Sequence, residues 1–138
     1  MNARELLRAA HRARERAYAP YSLFSVGAAL ECEDGTVVLG CNVENASFGA
    51  TLCAERNAIA AAIAAGKRSF VRIAIVGGKS DGTPLHACAP CGICRQTLSE
   101  FCGLDFEILT EENGEAVSQT LGELLPSAFS AELGGRTR

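Results

Sequence analysis

The chain lacks any apolar run long enough to span a bilayer, and its first residues lack the apolar core of a signal peptide. Neither membrane insertion nor export is expected, which leaves the cytoplasm as the expected location. A basic excess is missing too: 13 Lys+Arg against 16 Asp+Glu give a net charge of −3, and nucleic-acid binders usually carry a basic face. Arg4, Arg8, Arg12, Arg14 and Arg16 gather near the start, but Glu5 and Glu15 interrupt them, so they read as one solvated helix face. There is no tryptophan, no internal repeat and no low-complexity linker. With 138 residues, 48% of them hydrophobic and 21% charged, the chain suits one soluble domain around one core. That domain is expected over 1–138, with 134–138 as a mobile tail.

Cysteine, by contrast, is plentiful. Seven is an odd number, and nothing secretory accompanies it, so metal binding or simple burial is expected rather than a disulfide framework.

Residues 2–18 place Ala3, Leu6, Leu7, Ala10, Ala13 and Ala17 at helical spacing, with Asn2 as N-cap and Pro20 closing the element. Residues 22–30 and 37–43 read as strands joined by a turn at Asp34-Gly35. A polar loop over 44–51 leads to a helix over 53–65, stopped by Gly66. From Ala58 to Ala65 that helix is apolar on every side. A partner subunit covering one face is the favoured explanation, and an exposed face of small residues is the alternative. Residues 70–77 form a nearly continuous apolar strand suited to a central position. A glycine-rich loop over 78–84, a helix over 91–101, strands over 105–110 and 116–120, and a helical turn over 121–125 complete the order α-β-β-α-β-α-β-β. That order fits an α/β sheet with helices on its faces.

Cys91 and Cys94 are three residues apart, so a helical first turn carries both thiols on one face. Alone, the pair could be half of a structural zinc site, a redox couple, or two buried thiols. Pro90 before the pair and the absence of tryptophan weaken the redox reading. Cys53 strengthens the metal reading, because three thiolates leave a fourth zinc position open, as catalytic sites require. Glu55 lies two residues beyond Cys53, and in a regular helix such side chains point about 200° apart. They can share a site only if Cys53 stands at the loop–helix junction. Otherwise Glu55 is a first-turn carboxylate complementing the helix dipole. Three thiolates outweigh Zn²⁺ in charge, so a cation is expected beside them, Arg56 before Arg95. Cys88 could close the site as a fourth ligand and make it a structural module, but Pro90 redirects the chain between it and Cys91. It is expected to be a spare thiol. Cys32, Cys41 and Cys102 read as core residues.

Cys53-Ala54-Glu55-Arg56 and Pro90-Cys91-Gly92-Ile93-Cys94-Arg95-Gln96 together resemble the zinc signature of the cytidine deaminase family. Residues 20–28, 42–46, 85–96 and 124–129 extend the likeness over roughly 5–130. Cysteine at position 53 matches the small homotetrameric nucleoside branch. The resemblance implies a three-layer α/β/α fold with a five-stranded mixed sheet. It also implies zinc-dependent hydrolytic deamination of free cytidine and deoxycytidine to uridine and deoxyuridine, with release of ammonia, in pyrimidine salvage. Cys53, Cys91 and Cys94 would hold one Zn²⁺ per subunit, and Glu55 would carry the protons. Phe24, Asn42, Glu44, Ala54 and Phe129 would bind the nucleoside, Phe129 reaching a neighbouring subunit's site. Arg56 and Gln96 would support the ligands. A tetramer with shared active sites is implied, with neither nucleic acid nor membrane as partner. Position 48, often tyrosine in the family, is Phe48 here. An aminonucleoside-antibiotic deaminase on the same scaffold is the alternative, and Asn42-Val43-Glu44-Asn45 argues against it.

Overall fold

The structure, a computed structural model, describes residues 1–81 and 87–131. The expected tail at 134–138 and much of the loop after residue 81 lie outside the described residues.

Five strands form one mixed sheet in the order β2-β1-β3-β4-β5. They are β1 (Phe24–Cys32), β2 (Val37–Cys41), β3 (Phe70–Lys79), β4 (Glu107–Glu112) and β5 (Glu115–Thr120). β1 runs antiparallel to both β2 and β3, β3 and β4 are parallel, and β5 returns antiparallel. The apolar strand at 70–77 is interior, as its composition predicts.

The helices are α1 (Ala3–Arg14), α2 (Ala54–Ala64), α3 (Gly92–Phe101) and α4 (Leu121–Leu124). The sheet's period of two divides the core between its faces. Ala29, Ala74, Val76 and Leu109 meet Leu6, Leu7, Ala9 and Ala10 of α1 on one side. Ala28, Leu30, Ile73, Ile75 and Ile108 meet Ala54, Ala58, Ile59 and Ala62 of α2, Leu98 of α3 and Leu121 of α4 on the other. The result is the expected α/β/α sandwich.

α1 begins as its sequence predicts, with Asn2 Oδ1 accepting from the Glu5 N–H at 2.8 Å. It ends four residues sooner than expected. The chain leaves the helix so that Tyr18 can exchange backbone bonds with the segment after β2, its N–H donating to Asn42 O and its carbonyl accepting from Glu44 N, both at 2.9 Å. β1 starts two residues later than expected because Tyr21 and Ser22 are bound into a turn by the Glu44 carboxylate. α2 ends in a Schellman arrangement, with Gly66 at φ +89° and bonds from Gly66 N to Ile63 O and Lys67 N to Ala62 O. Its apolar surface is only half covered within one chain, since Ala60, Ala61 and Ala64 are exposed.

Two glycines set how closely the helices approach. A Cβ on Gly27 would stand 2.1 Å from Ala10 O of α1, and one on Gly40 would stand 2.4 Å from Ala54 O and 2.5 Å from Ala58 N of α2. Backbone atoms cannot yield as side-chain ends can. Gly40→Ala should therefore cost about 1–3 kcal/mol or more of stability through overpacking. At Gly49 an added Cβ meets nothing within 4 Å, and alanine there should change stability by less than about 0.5 kcal/mol. Thermal unfolding followed by circular dichroism separates the two, and equal midpoints would refute the close approach at Gly40.

Candidate active site and metal centre

Cys53 and Cys91 occupy equivalent places. Each is the N-cap of its helix, in extended conformation (φ −75°, ψ 154° and φ −67°, ψ 168°), and neither side chain makes a capping hydrogen bond. Caps are normally Ser, Thr, Asp or Asn, whose oxygens satisfy the first N–H groups. Cysteine at both caps leaves two sulfurs free to point elsewhere, at the positive ends of two helix dipoles. Cys94, fully buried in the first turn of α3, supplies the third.

The sulfurs converge. Cys53 and Cys91 are 3.8 Å apart, Cys91 and Cys94 3.3 Å, and all three lie within 4.8 Å of one another. Two thiolates on a tetrahedral zinc, each about 2.3 Å from it, would be separated by about 3.8 Å. Hydrogen bonding from Cys94, supported by Arg56 and Cys91, holds the Cys53 thiol down at about 5 despite burial. The same bond with Cys53, followed by burial, pushes the Cys94 thiol up.

Arg56 supplies the countercharge. Its Nη2 donates to Thr51 O at 3.1 Å and reaches Cys53 Sγ at 3.7 Å. Its Nε is buried without a partner among the described residues, an orphaned donor beside the sulfurs that thiolates would satisfy. Three converging thiols with a guanidinium aimed at them fit a thiophilic divalent ion. Arg95 is committed elsewhere: Nε donates to Pro90 O and Nη1 to Leu124 O, each at 2.7 Å. Cys88 stands apart from the converging set and packs on the core near Gly77 and Phe24. Burial pushes its thiol up to about 11, with the Glu55 and Cys53 charges adding.

Glu55, in the first turn of α2, is only 4% exposed. Because Cys53 precedes the regular helix, both side chains can face one site. Burial raises the Glu55 carboxyl, and a hydrogen bond with Cys94 pulls the other way. Ala54 is fully buried between them.

Of the residues expected to hold a nucleoside, Asn42, Phe24 and Glu44 are joined through the backbone at the start of β1. Asn42, 8% exposed, bridges the start of β1: Oδ1 accepts from Val26 N and Nδ2 donates to Phe24 O, both at 2.9 Å. Phe24 opens β1, half-exposed. The Glu44 carboxylate accepts from Tyr21 N, Ser22 N and Ser22 Oγ, and the Ser22 bonds hold it below the usual carboxylate range. A cavity of about 330 Å³ lies against Tyr21, Ser22, Glu44, Asn45, Phe48 and Thr51. Phe48 packs edge-on to Tyr21 at 6.3 Å. Gln96 faces the C-terminal segment instead of the sulfurs, its Nε2 donating to Phe129 O at 3.1 Å. Phe129 itself is 74% exposed. Sequence reasoning missed Ser22 and Thr51. The Tyr21-Ser22 step after Pro20 was the available signal for the first, and no local signal marks the second.

Residues 1–108 match the family described as the cytidine and deoxycytidylate deaminase zinc-binding region. A cytidine deaminase of Halalkalibacterium halodurans is 46% identical over 133 residues, covering 96% of this chain and 97% of that protein. One from Sporosarcina psychrophila is 45% identical over 133 residues, 96% of this chain and 94% of its own length. The crystal structure of a cytidine deaminase from Burkholderia pseudomallei superposes with a TM-score of 0.86 at 47% identity, covering 94% of this chain and all 100% of the other. With sequence and backbone alike repeated along nearly its whole length, the chain belongs to the cytidine deaminase family of hydrolases.

Proposed function

We propose that this chain hydrolyses free cytidine and deoxycytidine to uridine and deoxyuridine, with release of ammonia, in pyrimidine salvage. The observation that carries this reading is the buried Glu55 carboxylate beside three cysteine sulfurs within 4.8 Å of one another. Cys53, Cys91 and Cys94 would hold one Zn²⁺ per subunit. When bound, the ion would lower the pKa of a coordinated water toward neutrality.

The protein's own groups do the rest. Glu55 takes a proton from the attacking water and passes it to N3 of the ring as the C4–O bond forms. It then takes the remaining proton from the new C4 hydroxyl and passes it to the amino group, so that the C4=O bond forms as the C4–N bond breaks and ammonia leaves. Burial raises its proton affinity, which moves it toward the range where one carboxyl can both accept and donate. Arg56 offsets the excess negative charge of three thiolates against one divalent ion.

Asn42 and Glu44 contact the ribose 3′-OH. A carboxylate there repels nearby phosphate, which favours a free nucleoside over a nucleotide or a polynucleotide. Phe24 packs against the base, and the Ala54 backbone contacts the ring. Phe129, exposed in the single chain, reaches a neighbouring subunit's site, and Gln96 holds the segment that carries it. A homotetramer with shared sites follows, and it also covers the exposed alanines of α2. No helix among the described residues is long and apolar enough to cross a membrane, and the cytoplasm is the proposed location.

Three outcomes test this reading. Glu55→Gln should keep its zinc, by metal analysis, while cytidine turnover, followed as loss of ultraviolet absorbance, falls about 10³-fold; undiminished turnover would sink the assignment. In chelator competition, Arg56→Ala should surrender metal faster than the parent protein, whereas Cys88→Ala should retain it. Metal loss from Cys88→Ala would make Cys88 a fourth ligand and the site structural. Light scattering should report a tetramer, and a stable, active monomer would contradict the shared site.

A further inference from the structure

We propose that Ser22 is a positioning residue for sugar recognition: its hydroxyl fixes the one oxygen of Glu44 that remains able to accept a hydrogen bond from the ribose. This inference rests on the reading of Glu44 as the ribose-binding carboxylate.

The argument is a count of lone pairs. Each carboxylate oxygen accepts two hydrogen bonds. Glu44 Oε1 already takes two, from Tyr21 N at 3.0 Å and Ser22 N at 3.1 Å. Oε2 takes one, from Ser22 Oγ at 2.5 Å. A sugar hydroxyl can therefore be accepted only at Oε2, the oxygen whose one partner among the described residues is Ser22.

The hydroxyl also faces the base side. Ser22 Oγ accepts from the Phe24 N–H at 3.0 Å, so its single proton is directed at Glu44. One side chain thus joins the residue assigned to the sugar with the residue assigned to the base. The backbone between them is held in a disfavoured conformation: Leu23, not a glycine, has φ +58°. Leu23 N donates to Ala19 O and Ser80 N donates to Leu23 O, both at 3.0 Å. A non-glycine residue persists in that region only where its surroundings over-determine it, and such places concentrate at ligand sites.

A purely structural role for Glu44 would be to cap the Tyr21–Ser22 turn. Oε1 does that with backbone donors alone, so removing the hydroxyl leaves the cap intact; it frees Oε2 and also the Phe24 N–H, and a loss caused by the latter would fall on both substrates alike. The experiment compares cytidine with 2′,3′-dideoxycytidine, which lacks the 2′- and 3′-hydroxyls and keeps the 5′-hydroxyl, on the zinc-loaded parent, Ser22→Ala, Ser22→Thr and Glu44→Ala proteins. For Ser22→Ala, KM for cytidine should rise about tenfold with kcat little changed. KM for the dideoxynucleoside should stay put, and Ser22→Thr should restore the cytidine value. Parallel losses on both substrates, or no loss on either, would overturn the proposal. If Glu44→Ala keeps the full preference for cytidine, the sugar assignment of Glu44 is what fails. The clamp is then judged by ¹³C-carboxyl titration of Glu44, which should move upward in Ser22→Ala; an unmoved carboxyl overturns it as well.

Discussion

Two helix N-termini must deliver their capping residues to the same point, and the rest of the structure serves that constraint. The sheet provides the alignment. Because β1 is antiparallel to both β2 and β3, β2 and β3 run the same way and end at the same edge. α2 follows β2 and α3 follows β3, and both pack on one face through Ala58, Ile59, Ala62 and Leu98. Their N-termini therefore start from a shared edge. Gly40 then lets α2 sit with its backbone against β2, and Asn57 fastens it by donating from Nδ2 to Cys41 O at 2.7 Å. The placement of Cys53, 3.8 Å from Cys91 between sulfurs, rests on both contacts, although neither Gly40 nor Asn57 supplies a sulfur.

Placing sulfur at the caps also settles the electrostatics. A serine or aspartate there would be spent on the helix's own N–H groups. Cysteine is a poor cap, so the helix gives up that satisfaction and gains an outward thiol in a field that favours thiolate. The accumulated negative charge would in turn make a nearby carboxylate harder to ionise. Burial already lifts Glu55, and the Cys53 charge lifts it further. The arrangement that could hold a metal would thus also prepare Glu55 for its proposed role as proton carrier, while Arg56 limits how negative the whole becomes.

Local chemistry was legible in the sequence, and long-range pairing was not. The Cys91–Cys94 pair and the countercharge at Arg56 follow from spacing and charge within a few residues, whereas the joining of Cys53, 38 residues before Cys91, and the role of Glu55 rest on the family resemblance. The interior place of β3 follows from its nearly continuous apolar run, broken only by Arg72. The early end of α1 does not, because Tyr18 leaves the helix to pair with a segment more than twenty residues on. Arg95 and Gln96, adjacent to a ligand in sequence, are drawn away to Leu124 and Phe129. Their destinations depend on where the C-terminal segment packs, which no window around residue 95 records. The alanines of α2 stay ambiguous within one chain, since half of them meet the core and half meet solvent.

Under the proposed assignments, base and sugar recognition become one geometric problem at Phe24. Its carbonyl accepts from Asn42 and its N–H donates to Ser22, so both peptide groups flanking the ring are tied to residues on the sugar side. Asn42 has one amide hydrogen left after bridging Phe24 and Val26, as Glu44 has one accepting position left on Oε2. Each polar group expected to meet the ribose is therefore already used to build the wall, yet keeps capacity in reserve among the described residues: one amide hydrogen and one Oδ1 lone pair on Asn42, one accepting position on Glu44. Groups immobilised before binding lose less entropy when the ligand arrives. The tight turn at Tyr21 to Phe24 would thus do for the proposed nucleoside what the two helix caps would do for a metal, fixing donors and acceptors before anything is bound.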